Sequence, residues 1–105
     1  MIKLSVLYPK TASGTFDLDY YCNKHIVMVR QRLGGACKGL SVDQGVGGPT
    51  PGSQPAYFAM GHLLFDSVED FQAAFAPHAR EITSDAARFT NVEPIVQISN
   101  VVVDG

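Results

Sequence analysis

Charge is scarce in this chain. Asp, Glu, Lys and Arg together make up 17% of the residues, and ten acidic against eight basic residues leave a formal charge of −2. No basic excess exists to supply the positive field that nucleic-acid backbones and anionic membranes require, so neither is expected as a partner. Long apolar runs are missing as well: no stretch reaches membrane-spanning length, and the opening MIKLSVLYPK is too short for a secretory leader and meets Pro9. Cysteine is limited to Cys22 and Cys37, whose spacing makes neither a disulfide framework nor a zinc site, which favours a reducing, cytoplasmic setting. Phosphate-binding glycine motifs are absent, because the Gly-rich stretch at 45–52 contains no GxGxxG or GxxxxGK and opens no helix. A GxSxG nucleophile elbow is absent too. His25, His62 and His78 show no HxH or HxxxH spacing, so no metal and no cofactor is assigned.

What remains is a 105-residue, 46% apolar chain, expected to form a single domain over 1–105. So little surface charge on a globular composition hints at a buried interface. Ile2, Leu4, Val6 and Tyr8 alternate with Lys3, Ser5 and Leu7 and predict a strand. Asp17 is placed to cap a helix running to about Leu33, with Phe16 stapled onto Tyr21, and Gly34-Gly35 stops it. The three-and-four spacing puts Leu18, Tyr21, Cys22, His25, Met28, Val29 and Leu33 on one face, with Tyr20 on the flank.

A weaker strand follows over Ala36–Gln44, then a Gly/Pro-rich connection, read as a floppy hairpin loop or as a lid or dimer arm. The clearest strand is Ala56–Phe65, with Tyr57, Ala59, Gly61, Leu63 and Phe65 on one face and Phe58, Met60, His62 and Leu64 on the other. Ser67-Val68-Glu69-Asp70 reads as a capping box for a second helix, which Pro77 disturbs. Further turns follow over Arg80–Arg88, and a last strand over Ile95–Val103.

The order β-α-β-β-α-β predicts an α+β, ferredoxin-like fold: a four-stranded antiparallel sheet with both helices on one face. The other face would then be bare and partly apolar, so a second copy, packed sheet to sheet about a two-fold axis, is expected to cover it.

Phe16-Asp17-x-x-Tyr20-Tyr21-x-x-Lys24-His25 resembles the signature of the EthD-like family of the dimeric α+β barrel superfamily. Phe65-Asp66-Ser67-Val68-Glu69, Asp85-x-x-x-Phe89-Thr90-Asn91 and Pro94-Ile95-Val96-Gln97-Ile98 are similar to that family in the same order. Between Asp85 and Phe89 the chain reads Ala-Ala-Arg, where the family pattern favours a Pro and an Asn. The resemblance implies a homodimer whose sheets form an eight-stranded barrel, with a ligand cleft between helices and sheet in each subunit. The family takes its name from an ether-degradation gene cluster, and superfamily relatives include cofactor-free monooxygenases, lactone isomerases, haem-handling enzymes and binding modules. Haem rests on that analogy alone, since a fold does not fix a function.

An inward histidine is either a core residue with both nitrogens satisfied or a group facing a ligand, and the family motif favours the second for His25. Asp85 either orients that imidazole or caps a local turn. Tyr21, Tyr57 and Phe89 are the expected ligand-binding residues, around a small apolar or aromatic molecule. Two functions follow: a cofactor-independent oxidoreductase, monooxygenase or isomerase using His25 as acid/base on an aromatic or cyclic metabolite, with Asp85 as its catalytic partner, or a non-catalytic accessory subunit of a degradation pathway.

Overall fold

A computed structural model describes residues 1–104. Four strands, β1 (Ile2–Pro9), β2 (Gly39–Gln44), β3 (Tyr57–Phe65) and β4 (Ile95–Asn100), form one sheet in the order β2-β3-β1-β4, with every neighbouring pair antiparallel. This is the expected ferredoxin-like arrangement. The two edge strands come out shorter than their apolar patterns suggest. Residues 36–38 stay outside β2, because Gly34–Ala36 closes the preceding helix as a 3-10 turn. β4 ends at Asn100, so the valines at 101–103 lie beyond the ladder.

The first helical layer starts at Asp17, whose carboxylate accepts from the Tyr20 N–H at 3.1 Å. It continues through α1 (Leu18–Tyr20), a π-helical turn (Tyr21–His25) and α2 (Ile26–Leu33). In the wide turn the Ile26 N–H reaches back to the Tyr21 carbonyl, five residues earlier instead of four. Gly34 ends the helix at φ 59°, a conformation that favours glycine. The second layer is α3 (Val68–Phe75), capped by the Ser67 hydroxyl accepting from the Asp70 N–H at 3.1 Å, then a 3-10 turn through Pro77, α4 (Ala79–Ser84) and a 3-10 turn over Asp85–Arg88. Pro77 sits at the start of the short turn, where a missing N–H costs no helical bond.

Two apolar clusters hold the layers to the sheet. Ile2, Leu4, Val29, Leu33, Leu63 and Phe65 form the aliphatic one, toward the Phe65 end of β3. Tyr8, Tyr21 and Phe89 form an aromatic one at the opposite end, with Phe16 packed against it. The staple is observed, with Phe16 and Tyr21 ring centres 5.2 Å apart.

At the aromatic end the strand alternation breaks. Tyr8 stands opposite Ala59 but Pro9 stands opposite Tyr57, which leaves Phe58 as the extra residue of a β-bulge. Phe58 stacks on Phe16 at 5.9 Å. Beyond the bulge, Tyr57 is out of step with Ala59 and Gly61.

The helix-free face carries a polar chain across three strands: Ser5 Oγ lies 2.8 Å from His62 Nδ1, and His62 Nε2 lies 3.4 Å from an Asp43 carboxylate oxygen. Half-buried Leu7, Met60 and Leu64 surround it.

Candidate active site

Two segments distant in sequence converge at the first helical layer. The Asp17 N–H donates to the Phe89 carbonyl at 2.7 Å, the Thr15 N–H to Asn91 Oδ1 at 2.8 Å, and the Thr90 hydroxyl to the Thr15 carbonyl at 2.7 Å. These bonds tie the start of the helix to the segment after Asp85, so the carboxylate is delivered beside the imidazole by backbone that is itself fixed.

His25 is 5% exposed, and its Nδ1 lies 2.9 Å from Asp85 Oδ2. The other carboxylate oxygen accepts from the Tyr20 hydroxyl at 2.9 Å, and Arg88 Nε stands 3.5 Å from that same oxygen. Burial pushes the Asp85 carboxyl up, but hydrogen bonds from His25 and Tyr20, joined by the charges of His25 and Arg88, outweigh it and hold the group below the usual aspartate range. An ionised carboxylate only accepts, so Nδ1 carries the proton and Nε2 presents its lone pair when the ring is neutral. Among the described residues Nε2 finds no hydrogen-bond partner, and no buried side-chain nitrogen of theirs is sealed off without one. It therefore opens to the space His25 lines.

That space is a cavity of about 520 Å³ between the helical layers and the β1 and β4 side of the sheet. Tyr21 and His25 form its polar wall, Leu4 and Val6 its floor, Phe71 and Phe75 part of its roof, and Glu93 and Val96 its mouth. The volume falls within the range of small-molecule sites, about 300–1,000 Å³.

The rings behind His25 hold it in place. Tyr21 stacks on it at 5.6 Å and 17°, and Phe89 lies 4.7 Å away at 54°. Tyr8 and Tyr21 also line the cavity. Burial pushes the Tyr8 phenol up to about 12, partly countered by the Tyr21 hydroxyl, and burial together with Tyr8 drives Tyr21 well above the ordinary tyrosine range. Both phenols stay protonated and serve as donors, never as bases, near neutral pH.

His25 and Tyr21 thus lie on the cavity, with Asp85 directly behind His25. Phe89 is not on the cavity wall; it backs the imidazole from the aromatic cluster. Tyr57 is placed apart from them: the bulge at Phe58 breaks the alternation that put it on one face with Gly61, and it is not among the residues lining the cavity. The room above Gly61 is occupied by the Tyr21 hydroxyl, which a Cβ at that glycine would strike. Sequence reasoning passed over Tyr8 and Tyr20. Tyr8 was readable as an inward strand residue. Tyr20 was hidden by the π turn: five residues span roughly 140° on a regular α-helix, and the wider turn brings Tyr20 and His25 onto one carboxylate.

Among the described residues, no group of three or more His, Cys, Asp and Glu side chains converges as a metal site. Among the same residues, no helix is long and apolar enough to cross a membrane.

The EthD domain family matches residues 11–93, a span that contains the whole dyad and its supporting loops. The chain belongs to the EthD family. It is similar to the crystal structure of an EthD-like protein from Ralstonia eutropha JMP134, with 44% identity, a TM-score of 0.94, and coverage of 99% of this chain and 94% of that one. A second similar structure is an EthD family protein from Bacillus halodurans C-125, at 21% identity and TM-score 0.72, covering 95% of this chain and 97% of that one. A protein from Arabidopsis thaliana shares the fold at 13% identity and TM-score 0.66, covering 99% and 97%. No curated protein matches this EthD chain significantly.

Proposed function

We propose that this EthD protein is a cofactor-independent acid/base catalyst acting on a small apolar or aromatic metabolite, with His25 Nε2 as the proton acceptor and donor. The observation that carries this reading is the His25–Asp85 dyad at the wall of an otherwise apolar cavity, with Nε2 unpartnered inside it. Asp85 fixes the tautomer and stabilises the imidazolium formed when a proton arrives; Tyr20 holds the second carboxylate oxygen. Removal of a proton from an O–H or activated C–H and its return to another atom is an isomerisation that balances with no co-reactant. Tyr21, kept protonated by burial, stacks on the imidazole and holds the ring against the cavity wall.

A homodimer joined through the sheets is part of the proposal. Leu7, Met60 and Leu64 on the helix-free face and Ile95 on the edge strand, 51% exposed, favour a covering partner.

A non-catalytic ligand-binding role draws support from the cavity wall offering, besides His25, only the buried phenols of Tyr8 and Tyr21 and the exposed Glu93 carboxylate as ionisable groups. His25→Ala separates the two readings. Loss of turnover by about 10²–10⁴-fold with little change in ligand affinity supports catalysis, whereas unchanged turnover, or none in the parent protein across a panel of aromatic and cyclic compounds, rules it out.

A further inference from the structure

We propose that the cavity selects uncharged ligands: fused-ring or similarly bulky molecules that enter neutral, present a single hydroxyl or acidic C–H to His25 Nε2, and are rejected when they carry a carboxylate or phosphate. The proposal deepens the acid/base reading of the same site and rests on it for the role of His25.

The argument is electrostatic. None of the residues lining the cavity is Lys or Arg. Arg88, the cation paired with Asp85, lies outside the lining with its side chain 72% exposed. Negative charge, in contrast, stands on both sides of the space. Asp85 is ionised behind the imidazole, and exposed Glu93 lies at the mouth. A protonated His25 offers an anion little net charge, because its proton at Nδ1 is already matched by Asp85. The Tyr21 hydroxyl is engaged over Gly61, toward the sheet floor. An anionic ligand would therefore surrender its hydration with no cation to receive it, the most expensive form of polar burial.

A neutral ring system loses nothing of that kind. Leu4, Val6, Phe71 and Phe75 give it apolar contact over most of its surface. The volume, near 520 Å³, is several times that of a benzene-sized cavity of about 150 Å³ and accommodates more than one ring.

The test uses two probes with the same skeleton, 2-naphthol and 2-naphthoate, added to the full-length protein at about pH 7, where a phenol is neutral and a carboxylate ionised. Calorimetry gives the affinities, and shifts of the His25 ring protons by NMR report whether the probe is in the cavity. Expected is 2-naphthol binding with His25 shifts and 2-naphthoate weaker by about tenfold or more. Equal or tighter binding of 2-naphthoate overturns the proposal, as does failure of 2-naphthol to bind at millimolar concentration. Glu93→Gln, at an exposed position, is expected to narrow the ratio by strengthening 2-naphthoate alone; a wider ratio contradicts the argument. Selective binding of 2-naphthol in a protein that turns over no compound leaves the ligand class in place and removes the catalytic reading.

Discussion

In the proposed chemistry His25 depends on Asp85, which holds its Nδ1 at 2.9 Å. Replacing Asp85 with Asn removes an ionised acceptor from two short hydrogen bonds and is expected to cost about 1–2 kcal/mol of stability near neutrality. Because the folded carboxyl is held below its ordinary value, this contribution is full above the unfolded aspartate range, about 3.9, and disappears as pH falls through the folded value. The stability gap between wild type and Asp85→Asn, followed by urea unfolding, should therefore be full at about pH 5 and close as the pH falls further. A gap that persists or widens as the pH falls below about 5 would mean that the carboxylate is not stabilised by its partners. Gly61 is the second residue of consequence, because Gly61→Ala pushes a methyl into the Tyr21 hydroxyl. A loss of about 1–3 kcal/mol is expected, and most of it should be recovered in the Tyr21→Phe background; additive losses in the double mutant would place the clash elsewhere.

At the scale of elements, caps and turns decide how the site is assembled. Ser67→Ala removes the cap of α3 and should lower stability by about 1 kcal/mol, a drop in Tm of roughly 4–8 °C for a domain of this size; an unchanged melting curve would show the cap to be replaced by water. Much of this level was legible in the sequence. Asp17, Ser67, Gly34 and Pro77 announce boundaries through local chemistry, and the alternation of β3 from Ala59 to Phe65 shows which face is buried. The π turn and the bulge were not legible, since each inserts one residue into a regular period without a distinctive residue type. Their consequences are specific: the turn brings Tyr20 to Asp85, and the bulge removes Tyr57 from the site. Pairing of Asp85 with His25 was open at that stage, because it depends on hydrogen bonds between residues 13–17 and 89–91, contacts more than seventy residues apart.

For the molecule as a whole, the sheet has two different faces. One carries helices and the cavity; the other presents Leu7, Met60 and Leu64 around the Ser5–His62–Asp43 chain. If sheet-to-sheet pairing covers the second face, Leu64→Asp should yield monomers by light scattering at micromolar concentration, because an unpaired charge is not tolerated in a dry interface; an unaltered particle mass would mean that copies meet elsewhere, or not at all. The central claim concerns the first face: an apolar chamber enclosed by helices and sheet, with one unpartnered imidazole nitrogen directed into it. A crystal structure of the protein soaked with 2-naphthol tests it most directly. Expected is a ring system lying over Leu4 and Val6 with its hydroxyl oxygen about 2.6–3.2 Å from His25 Nε2. A chamber filled by its own side chains, or a ligand found only on the helix-free face, would contradict the account.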